Sequence, residues 1–213
     1  MIGLALAAAL AAAPACDRPL DVEVAAAPPV AGEQLARGVR LVSAWTLASP
    51  DPALGALARF DLAEGWAQTT DGRWLDWEMA PRPRAFRLAC ASLQASPTVT
   101  PPAPPDPPRI RGYQYVGSRP LGGSAFHAIG LWRSTEGTPE TLVVAFDNTV
   151  RTIRAPYVVL VRTPQPLSAV SATGERGDRH LRIAAVTQGP PGAPVRLTEW
   201  SWRDGATYGV PLD

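Results

Sequence analysis

Residues 38–79 read GVRLVSAWTLASPDPALGALARFDLAEGWAQTTDGRWLDWEM, and this stretch alternates strand and turn with no helical period. Val39, Leu41, Trp45 and Leu47 are apolar at odd positions while Arg40 and Thr46 fall between them, the period of two expected of a strand with one buried face. Ser49-Pro50-Asp51-Pro52 ends that strand, because neither proline donates to a ladder and the aspartate between them bonds backbone two residues on. Residues 57–62 form the next strand. Asp71-Gly72, set between Trp66 and the run Trp74-Leu75-Asp76-Trp77, is a hairpin signal, since glycine tolerates the positive φ that a tight turn demands. Leu75, Trp77 and Met79 then share one face of a third strand.

Outward from this meander, the N-terminus reads as a targeting segment. MIGLALAAALAAAPAC carries an apolar run from Ile2 to Ala13, too short to span a bilayer, followed by the small-residue cleavage pattern Ala13-Pro14-Ala15. Residues 1–15 are therefore expected to be a signal peptide, and residues 16–213 a single mature domain in the periplasm or outside the cell. Cys16 would be the first mature residue, where a lipoprotein is acylated, so an outer-membrane lipid anchor stands beside simple cleavage as the fate of this end. The second cysteine, Cys90, is either its disulfide partner in an oxidising compartment or a lone thiol in an apolar strand.

With 24 prolines and 18 glycines in 213 residues, the composition disfavours long helices and suits short strands joined by turns. Lys+Arg 20 against Asp+Glu 19 leaves no basic footprint for nucleic acid, and every basic residue is an arginine. No P-loop, dinucleotide fingerprint or zinc-binding cysteine set is present. Residues 96–108 hold seven prolines, which forbid sheet pairing and predict a surface loop. Further strands are expected over residues 85–93, 109–118, 124–133, 142–146, 157–161, 178–186 and 195–202. Residues 142–146, LVVAF, are continuously apolar and predict a strand buried on both faces. Gly112 is read as a bulge and residues 32–37 as the one short helical possibility. The fold class is all-β: a sandwich, barrel or propeller.

The opening meander resembles the first blade of the secreted phytase-like (esterase-like) β-propeller proteins. Those proteins begin with a strand ending in Trp, a Ser-x-Asp-Pro loop, a Phe-Gly-Gly-Leu/Phe-Ser turn and a strand ending in Ser-Asp-x-Gly. Leu54-Gly55-Ala56-Leu57-Ala58 stands at the Gly-Gly turn and Thr70-Asp71-Gly72 at the Ser-Asp turn. A faint internal repeat supports radial repetition: Leu54 to Leu57, a strand, Asp71-Gly72 and Arg73 are echoed by Phe126-His127-Ala128-Ile129, LVVAF, Asp147-Asn148 and Arg151. The resemblance covers residues 20–79 and 126–154. It implies a propeller-like radial array of four or five blades or an incomplete ring, acting as a monomeric hydrolase of small-molecule phosphate or carboxylic esters. A shortened, non-catalytic binding module at the cell envelope is the alternative.

The same resemblance points to candidate residues. Later blades of the family begin with Phe-Glu-Gly-Leu, whose carboxylate faces the central channel; here His127 replaces that Glu and Ala128 the Gly. This removes an oxygen ligand suited to Ca²⁺, the metal the pattern implies, and substitutes a nitrogen. Asp71, His127 and Asp147 are the expected catalytic residues, with Asp71, Asp147 and Asn148 as metal ligands and Glu64 a further carboxylate. Each has a plainer reading: Asp71 and Asp147 as turn residues, His127 as a satisfied, partly buried histidine. Ser124, in Gly122-Gly123-Ser124, lacks the second glycine of a nucleophile elbow. Trp66, Trp74 and Trp77 are read as packing residues or the lining of a carbohydrate or lipid groove.

Overall fold

The computed structural model describes residues 17–62, 64–89, 105–121, 126–148, 157–174, 180–187 and 193–203. The signal segment, Cys16, Cys90, Ser124, Arg151, residues 96–104 of the proline-rich stretch and the side chain of Asn148 lie outside the described residues. Residues 105–108 are irregular chain, in keeping with their prolines.

Among the described residues fifteen strands follow in order: β1 Arg18–Leu20, β2 Glu23–Ala26, β3 Gln34–Leu35, β4 Val39–Ala48, β5 Leu57–Asp61, β6 Trp66–Thr69, β7 Trp74–Met79, β8 Pro83–Ala89, β9 Tyr113–Pro120, β10 Phe126–Ser134, β11 Thr141–Asn148, β12 Tyr157–Thr163, β13 Leu167–Gly174, β14 His180–Thr187 and β15 Val195–Arg203. The only helical element among the described residues is a 3₁₀ turn at Leu54–Ala56. The chain is all-β, in three antiparallel five-stranded sheets. The N-terminal sheet has the order β1-β8-β7-β6-β5, the middle sheet β3-β12-β11-β10-β9 and the C-terminal sheet β13-β14-β15-β4-β2. Residues 34–35 pair with Arg162 and Val161 as β3, so the short helix expected over 32–37 is replaced by a strand added to a sheet edge. A six-residue helix has too few internal hydrogen bonds to compete with that pairing.

Each sheet begins at one edge with the first strand of a meander, β5, β9 or β13, and runs on from it strand by strand. The C-terminal sheet takes its fourth strand from the opposite end of the chain: β4 pairs with β15 along most of its length. That pairing ties the two ends of the described chain together.

Two cores hold the sheets. In the first, Leu57, Phe60, Leu75, Trp77 and Phe86 of the N-terminal sheet meet Leu47, Val186, Val195 and Leu197 of the C-terminal sheet. In the second, Phe126, Ile129, Leu131 and Val143 of the middle sheet meet Leu181, Ile183, Trp200 and Trp202 of the C-terminal sheet. The C-terminal sheet is therefore buried on both faces.

Register explains how β4 serves both cores. Ser43 pairs with Glu199 and Leu41 with Trp200, which leaves Val42 as an extra, exposed residue in a bulge. One extra residue inverts the side-chain parity. Val39 and Leu41 pack on the second core while Trp45 and Leu47 pack on the first, so the four do not share the single buried face that their spacing predicts. Gly112 is likewise not a bulge: it has φ +79° in the turn before β9, and its carbonyl accepts hydrogen bonds from the Thr135 backbone N–H and hydroxyl. The bulge in β9 falls four residues on, at Val116, because Leu131 pairs with Gly117 and Trp132 with Tyr115.

Candidate functional site

The three edge strands that open the meanders share one irregularity. In β5, Leu57 pairs with Thr69 and Arg59 with Gln68, leaving Ala58 extra. In β9 the extra residue is Val116, and in β13, where Leu167 pairs with Thr187 and Ala169 with Val186, it is Ser168. An extra residue sits outside the ladder, so its backbone polar groups are turned away from the neighbouring strand. The three bulges converge on one recess of about 290 Å³, close to the lower end of the roughly 300–1,000 Å³ usual for small-molecule sites. Its apolar floor includes Leu57, Leu131 and Val170, each nearly fully buried. Its polar lining residues are Thr70, Ser118, Ser168 and Arg119, of which Ser118 turns its side chain to the other face of β9, beside Gly130 and the Tyr115 hydroxyl.

Arg119 joins two sheets at this point by donating from Nη2 to the carbonyl of Ala58, the bulge residue of β5, at 3.0 Å. Desolvation, with the neighbouring charge of Arg59 second, lowers its pKa below the ordinary arginine value. Ser118 accepts a hydrogen bond from the Tyr115 hydroxyl at 2.7 Å, and Ser168 donates to the Val186 carbonyl. The lining contains no carboxylate, histidine or cysteine. It offers donors, acceptors and one fixed cation, and no group that exchanges a proton near neutral pH.

Of the residues expected from sequence, His127 and Asp147 do meet. They lie at the end of the β10–β11 pair, where Nδ1 of His127 is 3.2 Å from Oδ2 of Asp147, and both side chains are about half exposed. Asp147 has φ +55°, a left-handed conformation that aspartate tolerates better than most residues. Asp71 is elsewhere, in the β6–β7 turn, where its carboxylate accepts from the Thr69 hydroxyl and from Arg73 Nε at 2.8 Å. These two hydrogen bonds, Arg73 first, lower its pKa to about 2. Glu64 is exposed, and its backbone N–H caps Asp61 Oδ1. Among the described residues no three His, Cys, Asp or Glu side chains form a group able to hold a metal ion.

The internal repeat read from sequence is one strand out of phase. Leu57 opens the first strand of its meander and Asp71 follows the second; Phe126 opens the second strand and Asp147 sits in the third. Asp71 and Asp147 are therefore not equivalent positions. The equivalent positions are Ala58, Val116 and Ser168, which share no residue type. Trp66 and Trp74 pack against each other with centroids 5.3 Å apart, and Trp77 stacks on Phe86 within the first core. Comparison with family models, curated proteins and solved structures finds no match for this chain.

Proposed function

We propose that this chain is a small, non-catalytic binding module of the cell envelope, its three sheets standing as blades of a shortened, propeller-like radial array and its ligand seated in the recess between their inner edges. Three features support the radial reading: each sheet is a meander starting at an edge strand, the edge strands β5 and β9 both contact the edge strand β13, and an N-terminal strand extends the last sheet. The described residues supply three such sheets where the family resemblance implies four or five. The carrying observation for function is the recess itself, where three bulges converge on a lining without an acid or a base. Bulges gather beside binding sites because they re-aim backbone groups out of the ladder. Gly117 gives a clean test, for a Cβ built there meets no atom within 4 Å. Gly117→Leu should fold normally and fill the recess. Amide shifts of Ala58, Gly117 and Ser168 on screening small polar molecules by NMR should appear in the parent and vanish in this variant; shifts unaffected by the plug would sink the proposal.

The hydrolase reading rests on the His127–Asp147 contact. A carboxylate holding Nδ1–H leaves Nε2 free as a general base, the orienting relation used in nucleophilic hydrolysis. Hydrolysis of p-nitrophenyl phosphate or acetate lost in both His127→Ala and Asp147→Asn would establish it. The expected result is no turnover above background, since both members of the pair are about half exposed to solvent.

A further inference from the structure

We propose that the recess recognises a small oxyanion, a carboxylate or a phosphate, through Arg119 on β9 and Arg59 on β5. This deepens the binding-module reading and rests on it. Arg119 lines the recess and its guanidinium is anchored at the Ala58 carbonyl; Arg59, outside the lining itself, follows Ala58 in β5 and so stands beside that anchor. The anchor occupies one of the five N–H donors of Arg119 and leaves others for a ligand. Neither arginine pairs with a carboxylate among the described residues, whereas Arg18, Arg73, Arg87, Arg162 and Arg182 each do.

Two like charges so placed repel each other, and the partial desolvation that lowers the Arg119 pKa strengthens the repulsion. An anion between them relieves it, while one bound to water alone gains nothing comparable. Forked guanidinium groups match the paired oxygens of carboxylate and phosphate, and Thr70, also in the lining, carries a further hydroxyl donor. The recess volume of about 290 Å³ admits a single small head group.

Calorimetry of the full chain with inorganic phosphate and with citrate, and flotation with phosphatidylglycerol against phosphatidylcholine vesicles, tests the assignment and separates a free anion from a lipid head group. Binding of phosphate or citrate, or selective binding of phosphatidylglycerol vesicles, is expected. Arg119→Gln should weaken it more than tenfold, Arg59→Gln several-fold, and Arg119→Lys less than Arg119→Gln, with thermal midpoints close to the parent. Equal affinity in Arg119→Gln overturns the proposal. If glycerol or methyl glucoside shifts the recess amides and Gly117→Leu blocks them while no anion binds, the anion assignment falls and the binding-module reading stands. If no probe moves those amides, both fall.

Discussion

The N-terminal and middle sheets are built from the same number of strands and are buried in opposite ways. In β7 of the N-terminal sheet Leu75 and Trp77 are buried while Trp74, Asp76 and Glu78 are not, so one face packs and the other meets solvent. That outer face carries the Trp66–Trp74 pair and the Asp76–Arg87 salt bridge, whose N···O distance is 3.0 Å. In the middle sheet, residues 141–146 are buried without interruption. Val143 and Ala145 point to the core shared with the C-terminal sheet; Leu142, Val144 and Phe146 form a third cluster with Trp132 on the opposite face. Alternation in sequence records one buried face, and a continuous apolar run records two.

The largest effects should come from the middle sheet, on both faces equally. Trp132→Ala should cost about 3–5 kcal/mol and Ile129→Ala, on the other face of the same strand, about 2–5 kcal/mol, as a cavity opens in either cluster. Urea unfolding measures both. A cost below about 1 kcal/mol for Trp132→Ala would mean that its face is not packed, and the contrast between the sheets would collapse.

Next in size is a pair of glycines in the N-terminal sheet with similar backbone and different surroundings. Gly65 has φ +71° and Gly72 φ +87°, but a Cβ at Gly65 meets the Trp77 carbonyl oxygen at 2.2 Å while at Gly72 it meets nothing within 4 Å. Gly72→Ala should cost about 1–2 kcal/mol for the left-handed conformation alone. Gly65→Ala should exceed it, since the contact with Trp77 must also open and Trp77 N–H donates to the Gly65 carbonyl at 2.7 Å. Equal thermal shifts in the two variants would show that the close approach carries no weight.

Smaller still is the open face. Trp74→Ala should cost roughly 0.5–1.5 kcal/mol through the lost aromatic pair, well under the Trp132 value although the residue type is the same. The least effect is in pH. Asp71 is exposed, and its pKa of about 2 lies below the unfolded value of about 3.9, so its contribution is complete above the unfolded pKa and is lost as pH falls through the folded one. Asp71→Asn should remove that slope between pH 4 and 2. Glu33 acts in the other direction: burial first raises its carboxyl pKa, against the hydrogen bond from Trp200 Nε1, so its ionisation opposes folding as pH rises. Glu33→Gln should flatten that dependence, which acid titration of the two variants followed by NMR will separate.

The recess and the His127–Asp147 pair divide along the same line as fold and site. His127 and Asp147 are candidates in the sequence, with Asp71, through the family resemblance and the repeat, and the structure brings those two together. The recess is not legible there: Ala58, Val116 and Ser168 have nothing in common except a place in the ladder, and β13, with its alanines, serines and single valine, has no apolar run to mark it as a strand. Nor does Arg119 beside Pro120 differ in sequence from any other surface arginine.

The sequence by itself determined that the chain is all-β, where most strands lie, that Asp71-Gly72 turns a hairpin and that LVVAF is buried on both faces. Each of these follows from local rules: side-chain period, proline's missing donor, glycine's access to positive φ. Only the tertiary structure decided the rest. Whether β4 serves one core or two turns on one extra residue at Val42, and whether three edges enclose a recess turns on three more at Ala58, Val116 and Ser168. A bulge is a property of two strands in register, and a single strand's sequence carries no account of the partner against which its residues are counted.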